Sequence, residues 1–176
     1  MYRLSARQAR PVPAKITLGL AAVLATLWSG GALAGTATSN FQTTITIQAS
    51  CTIVSISPST MDFGTQGVLA ANVNQQLDIT VQCTNTTPYN IGLDAGTGTG
   101  ATVGVRKLTN GGSTINYSLY TDAGRATVWG NTVGTDTVAA TGNGAAQSYS
   151  VYGRIPAQTT PAPATYTDTI TVTVTY

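Results

Sequence analysis

The chain has 176 residues, of which only 8% are charged, with a formal net charge of +2, two cysteines and no histidine. Arg3, Arg7, Arg10 and Lys15 lie in the first fifteen residues, so the remainder sets Arg106, Lys107, Arg125 and Arg154 against Asp62, Asp78, Asp94, Asp122, Asp136 and Asp168, a net of −2. Four scattered cations exclude the electrostatic footprint of a nucleic-acid partner, and the missing histidine excludes Ser-His-Asp and Cys-His catalysis.

The chain starts with a basic segment, continues through the apolar run "ITLGLAAVLATLW" at 16–28 and reaches "ALA" at 32–34. These are the three parts of a secretory signal peptide, with cleavage expected after Ala34. A transmembrane anchor needs about 20 apolar residues, more than this run supplies. Residues 1–34 are therefore read as a leader for export, and residues 35–176 suit one domain with its own core.

Residues 35–50 form an extension ahead of the first cysteine. In "SNFQTTITIQASC" (39–51), Phe41, Thr43, Ile45, Ile47 and Ala49 share one parity and Gln42, Thr44, Thr46 and Gln48 the other. That alternation predicts a strand with one apolar face.

Cys51 and Cys83 both follow the leader. In an exported chain an isolated pair is most simply a disulfide, the alternative being two buried thiols. Two cysteines without histidine give no metal site.

Further along, "QLDITVQC" (76–83) alternates Leu77, Ile79, Val81 and Cys83 with Asp78, Thr80 and Gln82, and reads as a half-buried strand. The segments "PYNIGLDA" (88–95), "INYSLYTD" (115–122), "ATVWG" (126–130) and "QSYSVYGRI" (147–155) read likewise. Turn residues separate them, and Asp122-Ala123-Gly124 predicts a hairpin. The glycines of "AGTGTGATVG" (95–104) lack the Lys-Ser/Thr ending of a phosphate loop and read as an irregular connection. Tyr117, Tyr120 and Trp129 suggest either a sugar-stacking platform or packing, and packing is favoured. "PAQTTPAP" (156–163) cannot join a ladder.

The terminal "YTDTITVTVTY" (166–176) is the cleanest strand, with Ile170, Val172, Val174 and Tyr176 on one face and threonines on the other. No stretch after the leader has helical periodicity. Short strands at regular spacing predict an all-β antiparallel sandwich. No cofactor site and no enzyme motif emerges, the six aspartates having no distinctive local pattern.

Two amphipathic strands thus stand at the ends of the chain. Either residues 40–49 continue into the first strand of their own sheet, or they add to the edge of another subunit by β-strand addition. The second arrangement is head-to-tail and builds a filament.

The segments "FQTTITIQASC", "MDFGT" (61–65), "YSLYTDAGRATVWG" (117–130), "VYGRIPA" (151–157) and the terminal strand, in this order and spacing, resemble the spore coat protein U domain family, and in particular pilins of archaic, Csu-type chaperone–usher pili. The resemblance implies an incomplete immunoglobulin-like β-sandwich over 51–176, completed by a donor strand from another subunit. Within 35–50 it implies a donor strand with Phe41, Thr43, Ile45, Ile47 and Ala49 facing the acceptor. It further implies an acceptor groove between the first strand, with Ile53, Val54 and Ile56, and the last, with Ile170, Val172 and Val174. The partners implied are neighbouring pilin subunits, a periplasmic chaperone and an outer-membrane usher. The implied role is a structural subunit of a surface pilus supporting adhesion and biofilm formation. The alternative is a secreted single-domain sandwich that binds a carbohydrate or surface, as adhesin or spore coat component.

Overall fold

The computed structural model describes residues 34–176. The expected leader lies outside them, apart from Ala34. The chain divides after Thr43. Residues 34–43 are exposed and without regular structure, and the remainder is described by itself.

Eight strands follow in order: β1 (Cys51–Ser57), β2 (Val73–Cys83), β3 (Pro88–Leu93), β4 (Arg106–Asn110), β5 (Ser113–Tyr120), β6 (Val138–Thr141), β7 (Ala146–Ile155) and β8 (Val172–Thr175). They form two antiparallel sheets, β1-β2-β7-β5-β4 and β6-β3-β8. No helix occurs among the described residues, and the architecture is all-β.

Alternation explains the long central ladder. In β2 the odd-numbered Ile79, Val81 and Cys83 are buried, and β7 buries Val151 and Ile155, which stand opposite Leu77 and Val73. Tyr117 and Leu119 of β5 continue this inner face, and Tyr89, Ile91 and Leu93 of β3 meet it from the second sheet. Each fully buried aliphatic side chain here contributes about 2 kcal/mol. Cys51 and Cys83 stand opposite each other at the end of the β1–β2 ladder and are joined by a disulfide.

Three expectations need correction, and two strands were not expected. Residues 40–49 form no strand and are exposed throughout, because no partner strand lies beside them. "ATVWG" makes only an isolated bridge, Tyr120 with Val128, within the Asp122 hairpin. Of the terminal eleven residues only Val172–Thr175 are ladder-paired, because β3 stops at Leu93. The short strands β4 and β6, too brief to show a period, carry no alternation signal in the sequence.

The side of the sandwich at β4 is closed by one residue. Arg106 is completely buried, and its guanidinium donates to the carbonyls of Asp94 (2.7 Å), Val103 (2.8 Å), Leu93 (3.0 Å) and Trp129 (2.7 Å). Burial lowers its pKa, opposed by the charges around it. The ring of Trp129 is buried beside it, with its indole N–H on the Ile91 carbonyl at 2.8 Å.

Candidate functional site

The opposite side is open. The ladder of β1 with β2 pairs Ile53 with Val81 and Ile56 with Ile79, and a bulge at Val54 absorbs the odd residue between them. A bulge shifts parity by one, so two isoleucines three positions apart both take the inner face. Yet Ile53 and Ile56 are each 37% exposed, whereas their partners Val81 and Ile79 are at 0% and 1%. Val54, in the bulge, is exposed.

The exposure of Ile53 and Ile56 is explained at β8. It is the last strand of the second sheet and touches β1, so two unpaired edges stand side by side. Thr171 exchanges with Asp94, its carbonyl accepting from the Asp94 N–H at 3.2 Å and its own N–H reaching the Asp94 carboxylate at 3.0 Å. Thr167 pairs its N–H and C=O with Thr109 of β4. Antiparallel pairing alternates along a strand. The backbone groups of Asp168, Ile170, Val172 and Val174 therefore point to the free edge. The side chains of Ile170, Val172 and Val174 are only partly buried against the core. An exposed edge with an apolar face beside it is a template for strand addition.

The ladder registers define two ends of this sandwich. Cys51, Cys83, Ala146 and Thr175 mark the cysteine end, and Ser57, Val73 and Ile155 the far end. The 11 residues of β2 separate them by about 35 Å. At the far end lies a cavity of about 570 Å³, lined by Phe63, Leu69, Leu108, Ile115, Ile155 and Tyr166 among others. Phe63, which lines it, packs with Met61 over Gly153 of β7, where an added Cβ would come within 2.9 Å of Phe63 Cζ. These lining residues come from five segments of the chain. Their shared position follows from strand order, which periodicity does not encode.

Of the residues expected to act, Ile53, Ile56, Ile170, Val172 and Val174 are brought to the two adjoining edges. Phe41, at 90% exposure, and Ile45 and Ile47, at 85% and 73%, are unaccompanied. Ser50 is the first residue held to the domain: its N–H reaches the Thr84 hydroxyl at 3.1 Å and its carbonyl accepts the Thr84 N–H at 2.9 Å. Tyr117 and Trp129 are buried, the packing reading rather than a sugar platform. The Tyr117 hydroxyl donates to Asp168 at 2.8 Å, and burial with that hydrogen bond raises its pKa. No group of acidic or cysteine side chains among the described residues could hold a metal ion.

A family model described as the Spore Coat Protein U domain matches residues 37–173. Protein U of Myxococcus xanthus is 34% identical over 156 residues, 81% of this chain and 87% of that protein. Among solved structures, a chain of the CsuC–CsuE chaperone–tip adhesion subunit pre-assembly complex, from archaic chaperone–usher Csu pili of Acinetobacter baumannii, superposes with a TM-score of 0.51. Identity there is 24%, and the match takes in 74% of this chain but only 40% of that one, a likeness of fold. With one family model spanning the fold from before β1 into β8, and a relative matched along most of both lengths, the chain belongs to the spore coat protein U domain family.

Proposed function

We propose that the protein is a structural subunit of a chaperone–usher surface pilus, polymerising by donor-strand complementation. The observation that carries this reading is the pair Ile53 and Ile56: inner-face residues by register, left 37% exposed at an edge that adjoins the free edge of β8. Residues 40–49 of a neighbouring copy supply the matching strand. Phe41, Ile45 and Ile47 each gain about 2 kcal/mol on burial, and Thr43 and Ala49 complete the inward face. The backbone groups of Asp168, Ile170, Val172 and Val174, which point to the free edge, gain a ladder partner. The fold shared with a chain of a chaperone–tip adhesion subunit complex from chaperone–usher pili supports this assignment.

Before assembly, the apolar cleft needs cover against aggregation. A periplasmic chaperone takes that place, and an outer-membrane usher exchanges it for the donor strand. Residues 1–34 direct the chain to export, and the polymer stands on the cell surface in adhesion and biofilm. The role is structural rather than catalytic.

The test compares the exported chain with a variant lacking residues 35–49, each co-produced with its chaperone and run unboiled on a denaturing gel. The full chain forms a ladder of multimers, because groove burial and backbone pairing make the joint kinetically stable. The deletion abolishes the ladder while its circular dichroism keeps the β spectrum. A monomeric full chain, or a deletion that unfolds the domain, overturns the reading in favour of a secreted surface-binding or spore coat sandwich.

A further inference from the structure

The terminal strand changes partner on its way along the domain. Thr167 is tied to Thr109 of β4 through both backbone groups, at 2.8 and 3.1 Å, and from Val172 onward the strand pairs with β3. Residues 168–171 cross between these two ladders, held through the backbone at Thr171, whose carbonyl accepts the Asp94 N–H at 3.2 Å. The same residues begin the free edge, with the backbone groups of Asp168 and Ile170 pointing outward. A crossing without a ladder behind it is a weak place to receive a strand, because a loose edge must be ordered before it can pair.

Side chains hold the crossing instead. Antiparallel alternation would next bring Lys107 of β4 opposite Thr169, but Gly98 lies against the Lys107 carbonyl, where an added Cβ would come within 2.7 Å of the oxygen. The glycine-rich connection 95–104 thus takes the place of a strand. The Asp168 carboxylate fastens the crossing to it. Oδ1 accepts the Thr97 N–H at 2.7 Å, the Thr97 hydroxyl at 2.9 Å and the Thr169 N–H at 2.8 Å, while Oδ2 accepts the hydroxyl of the buried Tyr117 at 2.8 Å. Asp94 holds the other end of the crossing, its carboxylate accepting the N–H groups of Gly96 and Thr171, each at 3.0 Å.

The glycines that read in sequence as an irregular connection acquire a purpose here. Gly96, at a φ of 79°, comes so close to Asp168 that a Cβ would collide with its carboxylate, and Gly98 needs the same freedom beside Lys107. Asp168 also has the strand parity of Ile170, Val172 and Val174. The carboxylate that grips the loop therefore fixes how those apolar side chains are presented.

We propose that Asp168 is a positioning residue for strand uptake: by gripping Thr97 and Tyr117 it holds residues 168–171 extended, so that the acceptor edge is formed when a donor arrives and does not fray once the donor is in place. This rests on the donor-strand reading and deepens it, since loop residues 94–98 become the support behind the acceptor edge.

The test uses polymers of the full chain co-produced with its chaperone, held in urea at a fixed distance below each variant's unfolding midpoint. The half-life of the ladder on unboiled gels reports the joint between copies. The fluorescence of buried Trp129, the one tryptophan after residue 34, reports the domain in the same sample. Asp168→Asn keeps the side chain's size but exchanges an acceptor oxygen for an amide donor, and is expected to shorten the half-life about tenfold. Asp122→Ala is the control for stability lost elsewhere, because its carboxylate caps the hairpin at Ala126 and Thr127. It is expected to lower the midpoint and leave the half-life as in the parent. An Asp168→Asn half-life no shorter than that of Asp122→Ala makes Asp168 merely structural and overturns the proposal. If Asp168→Asn is not exported, Tyr117→Phe takes its place, since it removes one hydroxyl donor from Asp168. A half-life about fivefold shorter is then expected, and an unchanged one overturns the proposal. Absence of any ladder from the parent chain, or a ladder that persists without residues 35–49, overturns the donor-strand reading itself and this role with it.

Discussion

Ile79 and Ile56 face each other across one ladder, carry the same side chain and point to the same side of the sheet. One is 1% exposed and the other 37%. The difference lies in what stands opposite: Ile79 packs into the core with Tyr89, Ile91 and Leu93 of the second sheet, whereas β1 is an edge strand that only adjoins β8. The two flanks of the sandwich differ in the same way. At β4, Arg106 ties four carbonyls of three segments together, and Thr109 pairs with Thr167. At β1 and β8 two edges adjoin without pairing. On the donor-strand proposal, a fold finished on one flank should keep its stability without the strand that fills the other.

The largest effect is expected where the closed flank is cut. Arg106→Met removes the donor from four carbonyls, Leu93, Asp94, Val103 and Trp129. A loss of about 4 kcal/mol or more is expected, since hydrogen bonds to a charged donor are worth about 1.5–3 kcal/mol each and the acceptors stay buried. Urea unfolding of the isolated domain measures it, and adding a peptide of residues 35–49 should not restore the lost stability. Full rescue by the peptide would mean that the two flanks are not independent.

Next comes the link at the cysteine end. The Cys51–Cys83 bridge closes a sequence separation of 32 and ties the unpaired edge strand to β2. In the chain-entropy model such a loop is worth about 3–4 kcal/mol. Replacing both cysteines by alanine should lower the urea midpoint accordingly and, by freeing β1, loosen peptide binding more than Arg106→Met does per kcal/mol lost.

A smaller pair of effects measures the comparison directly. Ile79→Ala should cost about 3 kcal/mol in the lone domain, as a buried large-to-small change does. Ile56→Ala should cost about 1 kcal/mol or less, because part of its surface is already in water. With saturating donor peptide the second figure should rise to about 2 kcal/mol while the first stays put. Equal costs in the lone domain would show that the groove is filled by the chain itself.

The sequence carried the central ladder openly, because β2 and β7 are long, alternate strictly and bury one face. It carried the two terminal strands as patterns, and Ile170, Val172 and Val174 as one face. What it did not carry was pairing. Residues 40–49 alternate as well as β2 does and form nothing here, since alternation describes the face a strand would present and not the strand beside it. The inward turn of both Ile53 and Ile56 needs the bulge at Val54, which leaves no residue signature. In sequence Arg106 is one of four scattered cations, and only the convergence of Leu93, Asp94, Val103 and Trp129 shows it to be core. The lining of the far-end cavity, Phe63 with Leu108, Ile115 and Ile155, depends likewise on strand order.

The smallest predicted effect separates the flanks by pH. Asp122 accepts the backbone N–H groups of Thr127 at 2.7 Å and Ala126 at 3.1 Å, and these bonds hold its carboxyl below the usual range. For Asp94, burial pushes upward, but the hydrogen bonds from Thr171 and Gly96 and the Arg106 charge outweigh it, so its pKa also falls. A carboxyl whose folded pKa lies below its unfolded value near 4 contributes stability above that value, and the contribution is lost as pH falls through the folded pKa. Thermal midpoints should therefore be flat from about pH 5 to 8, where no histidine titrates, and drop below about pH 4. Asp122→Ala should lie below the parent at pH 7 and converge with it near pH 2. The proposed acceptor face, Ile53, Ile56, Ile170, Val172 and Val174, has no ionisable side chain. Peptide binding measured down the same series should hold its affinity until the fold begins to fail, and an affinity that falls at higher pH than the thermal midpoint would place a titrating group in the groove.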